Sequence, residues 1–120
     1  MRILLTKWFQ GFAKNEHITN ASLKTLVSGI EDGIRGVSLG GGLYKYRLAK
    51  PGKGKSGGYR VIVGLKRGER IFFIYGFSKS VRENITSPEQ KDLGEFAGVL
   101  LGLDDDAINK AVDIGKFLEI

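Results

Sequence analysis

An α+β fold with an antiparallel sheet and helices on one face follows from three observations on this 120-residue chain. Apolar residues recur at helical spacing near both ends. The middle of the chain alternates apolar and charged residues at strand spacing. Ile71 to Phe77 is apolar on both faces, the pattern of a central strand. A chain of this length builds one core, so residues 1–120 are read as a single domain.

The elements follow in order. Residues 2–5 form a short apolar strand. Thr6 caps a helix on which Trp8, Phe9 and Phe12 share an apolar face. Thr19 or Asn20 caps a second helix, in which Leu23, Leu26, Val27 and Ile30 make one stripe before Gly33 and Gly36 end it. Two helices therefore lead into the sheet. Tyr44, Tyr46 and Leu48 alternate with Lys45, Arg47 and Ala49 in the next strand. Tyr59, Val61, Val63 and Leu65 line one face of another. Residues 66–70 form a hairpin loop in which Gly68 supplies a positive φ. Ser87, with Pro88 and Gln90 behind it, signals the start of a helix. Leu93, Phe96, Ala97, Leu100 and Leu101 form its stripe, and Gly102 stops it. Asp104 opens a last short helix. The expected order is β-α-α-β-β-β-α-α.

Composition excludes several chemistries. The chain has no cysteine and one histidine. That removes disulfides, thiolate metal sites, a cysteine nucleophile and any multi-histidine metal site, so no metal or cofactor is expected. His17 falls in the helix–helix connection and reads as a polar loop residue. No stretch approaches the roughly 18 apolar residues of a membrane span. The apolar run at the N-terminus is too short for a signal peptide, so a cytoplasmic protein with no membrane partner is expected. The sequons at Asn20 and Asn84 are then chance matches.

Charge is distributed unevenly. The net charge is +6, but residues 45–82 carry +10 and residues 83–120 carry −6. The basic segment is a surface for a polyanion, or a plain solvated face. The acidic segment cannot bind the same polyanion, and its helices are expected away from that face.

Residues 52–57 spell GxGxxG, but a strand follows, not the helix that a dinucleotide site requires. Gly54-Lys55-Ser56 mimics the end of a phosphate-binding loop, yet the glycine required at position 49 is Ala49. The loop still brings Lys50, Lys53 and Lys55 near one another, and its backbone N–H groups suit phosphates. Tyr44, Tyr46 and Tyr59 interleave with Lys45, Arg47 and Arg60. This pattern suits single-stranded RNA, unless the rings face the core. Lys79 and Arg82 form a second basic pair where the central strand ends.

These pieces together resemble the RelE/HigB-type toxins of bacterial type II toxin–antitoxin systems. The resemblance rests on residues 41–49, the glycine–lysine loop 52–58 running into Tyr59-Arg60-Val61-Ile62, then 72–79, then 82–85. It implies a RelE-like fold: two N-terminal helices packed on a small antiparallel sheet, with C-terminal helices. It implies a metal-independent mRNA endonuclease that usually cuts on the ribosome and inhibits translation. The implied partners are mRNA on the ribosome and a cognate antitoxin, often of helix-turn-helix type. Operator DNA is bound by the toxin–antitoxin pair together.

By motif position the resemblance implies a catalytic set of Lys53, Lys55, Arg60, Lys79 and Arg82. The interleaved strand residues and the loop make Lys45, Arg47, Lys50 and Tyr59 the expected RNA-binding residues. Lys55 or Lys53, crowded by like charges, is the expected general base. Arg60 and Arg82 are expected to clamp the scissile phosphate. The C-terminal tyrosine of the family has no counterpart, since Arg82 is followed by Glu83-Asn84-Ile85-Thr86. Relatives of this fold inhibit gyrase instead. A non-catalytic inhibitor, or a basic nucleic-acid-binding module, is therefore the alternative reading.

Overall fold

The computed structural model describes residues 1–50 and 57–120. The elements are β1 (Arg2–Thr6), α1 (Lys7–Asn15), α2 (Asn20–Glu31), β2 (Val37–Gly40), β3 (Leu43–Leu48), β4 (Tyr59–Lys66), β5 (Arg70–Ser78), α3 (Ser87–Leu101), α4 (Asp105–Asp113) and β6 (Phe117–Glu119). The six strands form one sheet in the order β2-β3-β4-β5-β1-β6. The RelE-like α+β arrangement is present, with two refinements. The sheet is mixed, because β1 pairs with β5 in parallel while every other pairing is antiparallel. The helices cover both faces of the sheet instead of one.

The second face follows from the sequence of the central hairpin. Tyr59, Val61, Val63, Leu65, Ile71 and Phe73 project to one side, where α1 and α2 bury them with Phe9, Leu23, Leu26, Val27 and Ile30. Ile62, Phe72, Ile74 and Phe77 project to the other side and need cover of their own. α3 and α4 supply it with Ala97, Leu100 and Ile108. No helix among the described residues is long and apolar enough to cross a membrane.

Local signals set the helix ends. The Thr6 hydroxyl accepts from Phe9 N, and the Thr19 hydroxyl from Ser22 N. His17 takes φ 56°, and Ile18 N donates back to Ala13 O to close α1. α2 ends at Glu31, ahead of Gly33 at φ 104°. α3 starts one residue earlier than its Ser87 signal suggests. Thr86 is the cap, its hydroxyl accepts from Glu89 N, and the Glu89 carboxylate accepts from Thr86 N at 2.8 Å. Asp104 caps α4 as expected. The short strands β2 and β6 were not anticipated. β2 is mostly exposed and β6 is three residues long. β6 is held by Arg2, which donates to Glu119 at 2.8 and 2.9 Å, to Asp105 at 3.1 Å and to Asn109 at 2.8 Å.

α1 lies close on the sheet because Gly76 leaves room for Phe12. A Cβ at Gly76 would sit 2.5 Å from Phe12 Cε2. The Phe12 ring cannot retreat easily: it stacks on Trp8 at 5.5 Å and meets Tyr59 edge-on at 5.8 Å. Gly76→Ala is therefore expected to cost about 1–3 kcal/mol by overpacking. Denaturant unfolding should show this as a lower midpoint at unchanged slope.

Glu89 also receives Arg82, at 2.5 and 3.0 Å. Arg82 and then the Thr86 backbone hold its carboxyl down at about 2, from an ordinary 4.5. The folded value lies below the unfolded one. The pair's contribution to stability is thus complete above about 4.5 and is lost as pH falls toward about 2. Acid titrations of the melting temperature should show Glu89→Gln flatter than the native chain across that window.

Candidate functional site

Along β3, the residues that alternate with the core tyrosines are Lys45 and Arg47. Along β4, the residue beside Tyr59 is Arg60. The register places Arg47 opposite Arg60 and Lys45 opposite Ile62. Tyr46 and Tyr59 are buried in the layer against α1 and α2, so Lys45, Arg47 and Arg60 project to the other face of the sheet. Lys79 joins them from the end of β5, where its backbone N–H donates to Gly58 O at 3.0 Å. Arg35 and Gly36, from the connection after α2, complete the wall. The cleft has a volume of about 520 Å³. Gly36 is required for that wall, because a Cβ there would lie 2.7 Å from the Tyr46 ring and 2.8 Å from Lys45 O.

The cleft is cationic and uncompensated. Among the described residues, none of Arg35, Lys45, Arg47, Arg60 and Lys79 forms an ion pair. Arg60 is only 8% exposed. Its one acceptor among the described residues is the Tyr59 carbonyl at 3.3 Å. Burial, and then Arg47, hold the Arg60 guanidinium below its ordinary value, yet an arginine keeps its charge at any working pH. A buried cation without a carboxylate is costly unless an anion completes it. Lys45 is also held down, first by burial and then by Lys79 and Arg60. Its ammonium donates to Asn84 Oδ1 at 3.1 Å. Lys79 donates to Glu83 O at 3.1 Å.

The structure brings together Lys45, Arg47, Arg60 and Lys79 from the set singled out in the sequence. Of the other described residues of that set, Lys50, Tyr59 and Arg82 do not line the cleft. Tyr59 is a correction: its ring is 1% exposed, on the helix side of the sheet, with no face open to a base. Its hydroxyl donates to Glu16 O at 3.3 Å. Lys50 lies over that ring at 5.5 Å, outside the cleft lining.

Arg82 flanks the cleft but is already engaged. Its Nε donates to Asn84 O and its two Nη atoms to Glu89, with Tyr75 Oη a further acceptor at 3.2 Å. Lys53 and Lys55 lie outside the described residues. The acidic C-terminal helices do not keep to the opposite side of the sheet. They cover the same face as Arg60, and Glu89 is the partner of Arg82.

Sequence reasoning missed Arg35, Asn84 and Glu89. Arg35 lies ahead of the basic segment 45–82, so its charge did not stand out. Glu89 carried a usable signal, the capping pair with Thr86, which was read one residue out of register.

The sheet order, the helices on both faces and the cationic cleft can be set beside known proteins. No curated protein matches the chain. A family model described as RelE toxin of RelE / RelB toxin-antitoxin system matches residues 1–120. The RelE family is one of translation-inhibiting toxins, generally endoribonucleases, each with an antitoxin partner. The chain belongs to the RelE toxin family and is a toxin of a toxin–antitoxin system.

Proposed function

We propose that the chain is an mRNA endonuclease that cleaves without a metal ion, on the ribosome. The observation that carries this reading is Arg60: a buried guanidinium with no carboxylate among the described residues, flanked by Lys45, Arg47 and Lys79. An RNA phosphate supplies the missing anion.

RNA contains its own nucleophile. The 2′-oxygen attacks the adjacent phosphorus and the bond to the 5′-oxygen breaks, leaving a 2′,3′-cyclic phosphate and a 5′-hydroxyl. Extra negative charge builds on the phosphoryl oxygens as the attack proceeds. Preplaced cations stabilise that charge without reorganising, and this is usually a large part of catalysis. Arg60 and Arg47, one opposite the other, present planar forks to those oxygens. Lys79 holds a flanking phosphate or protonates the departing 5′-oxygen.

The 2′-hydroxyl proton passes to a lysine amine. Lys55 or Lys53 is assigned this role from the sequence. Lys45 is the described lysine suited to it, since burial and two neighbouring cations favour its neutral form. Arg82, held by Glu89 and Asn84, acts by fixing the strand exit that carries Lys79.

The 5′ ends of cellular mRNA, sequenced after brief expression, test the reading. Cuts within translated codons are expected from the native chain. Intact mRNA with halted replication would instead indicate inhibition of a protein target such as gyrase. Arg47→Ala, at an exposed position, should fold normally and lower cleavage by about 10–100-fold. Lys45→Arg keeps the charge but holds its proton. A loss of about 10²–10⁴ in rate, with the pH dependence shifted, marks Lys45 as the base. Full activity in Lys45→Arg and loss in Lys55→Arg assigns the base to the loop.

A further inference from the structure

A second surface on the molecule has opposite character to the cleft. An apolar groove of about 590 Å³ runs between the start of α1, the middle of α3 and β6. Trp8, Tyr75, Leu93, Phe96 and Phe117 form its walls. Trp8 was expected in the core, from the spacing of α1. It is instead 49% exposed and stacked on Tyr75 at 4.3 Å, and Phe96 across the groove is 43% exposed. Half-exposed aromatic rings grouped around one depression are the usual anchors of a protein contact.

The charges at its edges define the occupant further. Lys7 and Lys116 line the groove, and neither forms an ion pair among the described residues. At the far end, Glu89 and Asp92 lie beside Tyr75 and Leu93. The groove itself is apolar, and the charges that line it are the cations Lys7 and Lys116. It suits an amphipathic segment that buries apolar side chains and places carboxylates against Lys7 and Lys116. A nucleic acid fits poorly, because most of the lining is aromatic and aliphatic.

We propose that this groove is the docking site for an apolar, acid-edged segment of the cognate antitoxin, on a surface separate from the cationic cleft. The proposal rests on family membership and not on the RNA reading. An antitoxin seated here covers Trp8 and Phe96 and leaves Arg47 and Arg60 unoccupied.

The chain contains one tryptophan, so its fluorescence reports on this groove alone. The purified chain is titrated with its cognate antitoxin, any antitoxin tryptophan being replaced by Phe. Saturation should shift Trp8 emission to the blue and reduce its quenching by acrylamide. Phe96→Glu should weaken antitoxin binding by more than about tenfold. Val99→Glu, on the same helix and exposed but outside the groove lining, should leave it unchanged. Lys7→Glu with Lys116→Glu should weaken binding and reduce its salt dependence.

Unchanged Trp8 emission and quenching at saturation overturns the proposal, and needs no variant to fold. Native affinity in Phe96→Glu overturns it too. So does Trp8 protection that rises with toxin concentration in the absence of antitoxin, which marks a second copy as the occupant. Cleavage of mRNA by antitoxin-free Phe96→Glu is read separately, so a failure of the RNA reading is distinct from a failure here.

Discussion

The whole arrangement depends on the β4–β5 hairpin being apolar on both of its faces. One face of a sheet of this size is covered by two helices, and a second apolar face then requires a second layer. Ile62, Phe72 and Ile74 impose that layer, and α3 and α4 form it. The cover is incomplete, and that is what creates a site. Going along β4 on the same face, Ile62 is packed under the helical layer and Arg60, two residues earlier, lines the open cleft. The register carries the change across the sheet, because Lys45 stands opposite Ile62 and Arg47 opposite Arg60. The cationic cleft begins where the apolar row stops, on strands held rigid by the core beneath. Rigid strands are the better support for groups that must hold one phosphate geometry.

Charge is sorted by the same packing. The acidic C-terminal segment does not balance the basic segment diffusely. Glu119 and Asp105 pair with Arg2, Asp105 also reaches Arg70, and Glu89 takes Arg82. Arg70 donates in addition to the Leu103 carbonyl. These arginines fasten α3, α4 and β6 to the sheet. The exposed pairs among them add little stability singly, but they fix which end of the sheet is quenched. Among the described residues, the cations around Arg60 are left without a carboxylate. The acids thus define the cleft by leaving it alone.

Much of this was legible in the sequence, and the reasons are particular. Thr6, Thr19 and Asp104 were readable as caps because a short side-chain oxygen ahead of an apolar stripe has one common use. The alternation of Tyr44 and Tyr46 with Lys45 and Arg47 placed the bases on one face and the rings on the other. That alternation alone does not say which face is the core. Tyr59 illustrates the cost: its ring belongs to the α1–α2 side, so the neighbour of Arg60 is not a stacking platform. β2 and β6 were illegible because each is short and mostly exposed, and edge pairing leaves no hydrophobic period. The pairing of Arg82 with Glu89 was hidden for a different reason. Motif position locates an arginine in the chain but does not say which carboxylate the fold brings to it.

The two surfaces are separate but linked by hydrogen bonds. Tyr75 lies on β5, its ring forms part of the apolar groove, and its hydroxyl accepts from Arg82 at 3.2 Å. Arg82 in turn donates to the Asn84 carbonyl, and Asn84 accepts from Lys45 inside the cleft through Oδ1. A short chain of hydrogen bonds therefore runs from the groove to the cleft. Apolar packing forms the groove and uncompensated charge forms the cleft, so the proposed antitoxin segment and the proposed RNA would sit on separate surfaces without competing directly. Tyr75, Arg82, Asn84 and Lys45 are the described residues that link the two surfaces by hydrogen bonds.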